Sequence, residues 1–397
     1  MTKINLFFSR ALTSLLAVLF ALNACSPTDL PKPNETPQNT YEIDSVPLCN
    51  TSCNLDTELL DNLTSRISEG DFGNIHSLII LYKDKLAMEE YSLGWTRHMR
   101  HYCMSASKSF ASALIGIALD EGIIDSVDEK LLDLLPEYDD IANPDVRKES
   151  ITLENVLSMS AGFEWDERSE PLNSSLGLPN MKNDVVQTML SSDWIKHVLD
   201  LPMNTDPGTQ FVYNSGCSLL LSGIINHKSG QSVSAFSEEK LFTPLGIDSW
   251  QWLERPDGIT ETASSLSLHP VNMAMLGYLY LKKGKYNGTR ILSEQWVDQS
   301  TAKHIIVDRF NNDLVKSVDN NYDYGYQWWR FSDSIVESYL ETNDVFFALG
   351  IYGQFIFVIP HLDLVVVMTA GNLDSDYAAI SFEMLFDYIV PAINGFP

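Results

Sequence analysis

Cysteine is scarce in these 397 residues, five in all, and basic side chains number 26 against 53 acidic ones. So few thiols rule out a small scaffold held together by disulfides. A net charge of −27 excludes a nucleic-acid binder, whose surface would have to neutralise phosphates. The eight His are scattered, with no His-x-x-x-His, no His-Glu-x-x-His and no second Cys-x-x-Cys, so no zinc site is expected. A Gly-x-Ser-x-Gly elbow and a phosphate-cradling glycine loop are also lacking. No cofactor is expected.

What is present begins with Lys3 and Arg10, followed by the short apolar run ALTSLLAVLFALNA, which reads as a secretory signal over residues 1–24. The stretch Leu22, Asn23, Ala24, Cys25 resembles the lipobox of bacterial lipoproteins, with Cys25 as the lipidated residue; plain secretion is the alternative. Ser26, where the best-known sorting rule would place Asp for inner-membrane retention, points to an outer-membrane anchor facing the periplasm. Residues 25–45 are rich in Pro, Asn and Thr and are expected to form an extended tether. The mature chain would carry 24 basic and 53 acidic residues, net −29, and would touch the membrane only through its lipid. Cys49, Cys53, Cys103 and Cys217 then remain, and their pairing is open.

Beyond the tether, LDTELLDNLTSRISEG has a helical period. IHSLIILYKDKLAMEEYSLG reads as two strands joined at Lys83, Asp84 and Lys85. The middle of the chain is mostly helical in pattern. Strand character returns in YGYQWWRF, FFALGIYGQFIFVIP and LDLVVVMTAG, before a closing helix. The fold class is therefore α+β: an antiparallel sheet built from both chain ends, flanked by helices, with a mostly helical domain inserted between. One domain is expected over 46–397, its sheet part at 46–104 and about 320–397 and its helical part at about 105–319. A cleft between the two parts is the natural site.

Three stretches carry chemistry. In SASKSFASALIGIALDEG, Ser105 and Lys108 share one face of a helix start, where the amides and dipole favour negative charge. An apolar wall would lower the Lys108 pKa and let the amine take the Ser105 proton; equally, Ser105 could cap the helix and Lys108 lie in solvent. The spacing alone is weak, since Ser237 to Lys240 and Ser300 to Lys303 repeat it. In PGTQFVYNSG, Tyr213 stands where a turn enters a helix and could relay a proton, its pKa depressed by a neighbouring cation, or could simply be a core residue. In FFALGIYGQFIFVIP, Gly350 and Gly353 allow close approach of a strand that could aim an amide at an oxyanion, or serve an ordinary hairpin. His98 and His101 lie near Ser105 but read as a surface or strand-end cluster.

In their order, these segments resemble the serine β-lactamase-like superfamily of class C β-lactamases, DD-peptidases, esterases and 6-aminohexanoate-dimer hydrolases. ITLENVLSMSAGFEWDE, LFTPLGI, SLSLHPVNMAMLGYLYLKKGKYNG and YGYQWW extend the likeness over nearly the whole mature chain. The resemblance implies that Ser105 is the acylated nucleophile, Lys108 its base and Tyr213 the proton relay, on a β-lactamase/transpeptidase-like fold. Ser215 replaces the Asn of the second motif, as in the 6-aminohexanoate-dimer hydrolase and esterase branch. The third motif aligns with Val345, Phe346 and Phe347, which supply no cation for a substrate carboxylate. The backbone amides of Ser105 and Ala348 would then bind the oxyanion, and Ser215, Tyr324, Trp328, Gly350 and Tyr352 would line the substrate pocket, with aromatic packing of a strand an equal reading of Tyr324, Trp328 and Tyr352. A small ester or linear amide is the expected substrate. The alternatives are a β-lactamase or penicillin-binding DD-peptidase, and a noncatalytic binding protein on the same fold.

Overall fold

The computed structural model describes residues 53, 55–169, 171–173, 178–307, 322–333, 339–340, 342–373 and 376–393. The leader, the tether, Cys25 and Cys49 lie outside them. Cys53 is disulfide-bonded, whereas Cys103 and Cys217 are buried free thiols.

An eight-stranded antiparallel sheet organises the molecule. Its strands are β1 (Ile75–Tyr82), β2 (Lys85–Tyr91), β3 (Ile305–Val307), β4 (Tyr322–Tyr324), β5 (Trp329–Phe331), β6 (Phe346–Gly350), β7 (Gln354–Ile359) and β8 (Leu364–Ala370), in spatial order β3-β4-β5-β6-β7-β8-β1-β2. Both ends of the chain thus meet where β1 pairs with β8, Ile80 opposite Val366. Every residue of β1, β7 and β8 is buried, so these strands are nearly continuous apolar runs covered on both faces. Lys83 and Asp84 both adopt positive φ, 48° and 62°, the two-residue turn whose twist suits a β1–β2 hairpin.

Helices cover the two faces. The helix Thr57–Glu69 (α1) starts at Asp56, whose carboxylate accepts from the Leu59 amide, and ends at left-handed Gly70. The helix Ser107–Asp120 (α2) is buried from Ser107 to Ala118 and packs against both β6 and the helix Ser215–Ser229 (α3). The helix Pro270–Leu281 (α4) lies across β7, β8 and β1, and Gly277 permits its approach: a Cβ there would meet Val365 Cγ1 at 2.6 Å. On the opposite face, Phe382 of the helix Tyr377–Glu383 (α5) sits among Phe331, Phe347, Phe355 and Phe357. The fully buried rings of Phe355 and Phe357 each contribute roughly 1.5–3 kcal/mol. The C-terminal end of β6, beyond its pairing with β5, together with α2 and the start of α3 frames the site.

Candidate active site

The chain leaves a two-residue strand at His101–Tyr102 and turns sharply before α2. Met104 takes the turn at φ 47°, a left-handed conformation that costs a non-glycine residue of order 1–3 kcal/mol. Packing holds it there. Cys103 N donates to Leu266 O at 2.8 Å, Leu266 N donates to Ser107 Oγ at 3.3 Å, and Ser109 Oγ donates to Gln327 O at 2.6 Å. Ser105 keeps partial exposure while Cys103, Met104, Ala106, Ser107 and Lys108 are buried.

Lys108, one helical turn on, is 1% exposed. Its ammonium nitrogen lies 3.2 Å from Ser105 Oγ, 3.1 Å from Ser215 Oγ and 2.8 Å from the Ala263 carbonyl, with the Tyr213 ring centroid 5.0 Å away. Burial drives its pKa down, and the charges of Glu167 and Glu261 oppose that shift. It is therefore a desolvated amine directed at a hydroxyl, and the solvent-exposed reading of Lys108 does not hold.

Tyr213 immediately precedes Asn214, which caps α3 by accepting from Cys217 N at 3.1 Å. Its ring centroid lies 5.0 Å from the Lys108 nitrogen, and it stacks on Trp329 at 5.7 Å. Its pKa differs from the sequence expectation: burial, reinforced by the Glu167 charge, raises the phenol well above its ordinary value. Desolvation outweighs the opposing effect of the Ser105 hydroxyl, so the phenol keeps its proton at neutral pH.

Ser215 is wedged between Lys108 and Glu167, donating its amide to Glu167 Oε2 at 2.7 Å and its hydroxyl to Oε1 at 3.3 Å. Trp165 Nε1 donates to the same carboxylate at 2.6 Å. Sequence reading missed Glu167, since an acidic residue in the loop EWDERSE carries no periodic or spacing signal. It also missed the Glu261–Ser264 turn that presents the Ala263 carbonyl.

The remaining expected residues divide. Gly350 abuts the nucleophile turn, where a Cβ would stand 2.5 Å from Cys103 O and 2.9 Å from Met104 Cβ. Tyr352 follows in the β6–β7 turn at φ 68°, half-buried. Ala348 is buried within β6, paired with Ile356, two residues before the contact with the turn. Tyr324 backs the site, packed against Phe211 and Trp329, and has no surface to offer a substrate. Trp328 is a correction: it is fully buried between Tyr280 and Phe346, because its ring turns into the layer under α4. Val345, Phe346 and Phe347 are buried apolar residues. His98 is exposed, whereas His101 is buried, its Nε2 2.8 Å from His76 Nδ1.

Residues 76–380, which include Ser105, Lys108 and Tyr213, match the family model described as Beta-lactamase. The chain belongs to the Beta-lactamase family. Members of this serine-hydrolase fold family include amidases and esterases. The chain is 24% identical over 323 residues, 76% of its length and 73% of the other's, to the 6-aminohexanoate-dimer hydrolase of Paenarthrobacter ureafaciens. Among solved structures it resembles EstCE1, a hydrolase with promiscuous acyltransferase activity, at TM-score 0.65 and 14% identity, with 86% of this chain and 99% of that one covered. It also resembles a family VIII carboxylesterase at TM-score 0.62 and 15% identity, with 85% and 97% covered. At these identities the structural likeness speaks for the fold.

Proposed function

We propose that this protein is a serine hydrolase that cleaves a small ester or linear amide through an acyl-enzyme on Ser105. The observation that carries the reading is the contact of a buried lysine with Ser105, with the Tyr213 ring 5.0 Å from the same lysine nitrogen. As Ser105 Oγ attacks the carbonyl carbon, its proton passes to the neutral Lys108 amine, help worth roughly 10²–10⁴-fold. The oxyanion is held by the Ser105 amide and an amide at the Gly350–Ile351 end of β6, a register that replaces Ala348 because Gly350 is what touches the Ser105 turn. When the intermediate collapses, the bond to the leaving group breaks, Tyr213 gives that group its proton, and Lys108 returns one to Tyr213. Water then attacks the acyl carbon, giving its proton to the same pair, and Ser105 leaves with a proton restored.

Two features favour a neutral substrate over a penicillin or a peptidoglycan stem peptide. The third motif offers buried Val345, Phe346 and Phe347 in place of a cation, and Glu167 adds negative charge beside the base. The proposed setting is the periplasmic side of a bacterial membrane, through lipid on Cys25. Mass spectrometry after exposure to p-nitrophenyl esters, a linear amide dimer and a penicillin tests the reading. An acyl mass on Ser105 from an ester or the dimer, absent in Ser105→Ala, is expected. Adduct from the penicillin alone would favour the DD-peptidase or β-lactamase alternative, and no adduct from any of them would favour a binding protein.

A further inference from the structure

We propose that Glu167 is a positioning residue for the base: by holding the Ser215 hydroxyl proton, it leaves the Lys108 lone pair one direction to point, toward Ser105. The inference rests on the reading of Ser105 as nucleophile and Lys108 as its base.

A neutral lysine amine has two N–H donors and one lone pair, and Lys108 has three polar neighbours at hydrogen-bonding distance: Ser105 Oγ, Ser215 Oγ and Ala263 O. The Ala263 carbonyl can only accept. A lone serine hydroxyl could accept from Lys108 or donate to it, and donation would occupy the lone pair that the reaction needs. Ser215 is not alone, because its hydroxyl is 3.3 Å from Glu167 Oε1, and a carboxylate accepts only. With its proton given to Glu167, Ser215 Oγ must accept from Lys108. Both N–H groups are then committed, to Ser215 and Ala263, and the lone pair faces the remaining neighbour, which is the hydroxyl to be deprotonated.

The carboxylate is itself fixed. Ser215 N at 2.7 Å and Trp165 Nε1 at 2.6 Å both donate to Oε2, which leaves Oε1 for the Ser215 hydroxyl. The Ala263 side is braced in the same manner: buried Glu261 accepts from Ala263 N at 3.0 Å, Ser264 N at 2.9 Å and Ser264 Oγ at 3.1 Å, which holds the turn whose carbonyl faces Lys108. The titratable and charged groups around Lys108 are then Glu167 from the loop before α3, Glu261 from this turn, Cys217 from α3 and the Tyr213 phenol at its start. The negative charge of Glu167 also raises the Lys108 pKa against the effect of burial. Removing that charge must therefore shift the acid limb of the rate profile to lower pH, since the amine loses its proton earlier.

The test measures the rate of Ser105 labelling by a fluorophosphonate, and kcat and KM for a p-nitrophenyl ester, against pH in wild type, Glu167→Gln, Glu167→Ala, Ser215→Ala and the double variant Glu167→Ala/Ser215→Ala. Glu167→Gln keeps one acceptor oxygen, which the Ser215 and Trp165 N–H groups claim, and turns its NH2 toward the Ser215 hydroxyl, so its acid limb should move to lower pH and its plateau should fall. In Glu167→Ala the same shift should accompany a plateau, read in kcat, lower by about tenfold or more. The double variant should lose no more than Ser215→Ala alone, because Glu167 acts through that hydroxyl. Additive losses, a limb that stays in place in Glu167→Gln, or a raised KM with unchanged kcat would overturn the proposal. Should Glu167→Ala fail to fold, the Glu167→Gln plateau, read in kcat, decides: a wild-type value there would overturn the proposal. Failure of wild type to be labelled would instead sink the hydrolase reading, while labelled wild type with indifferent variants would sink only this inference.

Discussion

Ser105–Lys108 and Ser300–Lys303 have the same spacing and both lie at helix ends, yet they have become different objects. Lys108 is enclosed by α2, α3 and the Ala263 turn and touches no carboxylate directly. The Lys303 side chain is 51% exposed and pairs with Asp323 at 3.0 Å, leaving Ser300 buried against Val297 O. Lys240, in the third copy of the spacing, is tied to Glu121 and Glu239. A paired, hydrated ammonium holds its proton, whereas a desolvated amine gives it up more readily, so burial and not spacing makes a base.

The contrast can be broken most sharply by deletion. Lys108→Ala should lower kcat/KM for a p-nitrophenyl ester by about 10³-fold, at least a hundred times more than Lys303→Ala or Lys240→Ala, which should stay within about twofold of wild type. Equal losses at all three would show that the lysines act through stability.

A second buried basic site sharpens the comparison. His76 and His101 contact each other at 2.8 Å under Trp95, with the Tyr102 carbonyl as the other partner of His101, and no carboxylate offsets their burial. Desolvation lowers them to about 3 and about 4. Since these folded values lie below the ordinary 6.5, the unfolded chain binds more protons on acidification. Stability should therefore be full above pH 6.5 and decline as pH falls toward 4, by up to about 1.4 kcal/mol per pH unit for each imidazole kept neutral. Denaturant midpoints across that range would show it, and a pH-independent midpoint would mean that the pair is solvated.

The smallest effect concerns stability at the two lysines. Lys108→Met keeps the volume and removes a costly buried amine, so it should leave the stability unchanged or raise it by about 1 kcal/mol. Lys303→Met strands the largely buried Asp323 and should lower it by a similar amount. Thermal denaturation of the two variants reads the opposite signs directly.

Much of the architecture was legible. The alternating and continuous apolar runs of β1, β6, β7 and β8, the Lys83–Asp84 turn and the capped α1 all follow from local periodicity and turn chemistry. Trp328 was misplaced because an aromatic beside a strand gives no sign of which layer its ring enters. Glu167 went unseen because its partner Ser215 lies 48 residues away, and the Glu261 turn because the lysine that its Ala263 carbonyl faces lies 155 residues away, and neither separation is periodic. The expected direction of the Tyr213 shift failed because a pattern reports neighbours along the chain and says nothing of solvent.

By itself, then, the order of residues determined which segments become strands and helices, the family to which they add up, and a short set of side chains able to react. Only the folded arrangement decided which of three identical spacings is chemical, because desolvation, lone-pair direction and the reach of a distant carboxylate belong to space and cannot be encoded in adjacency.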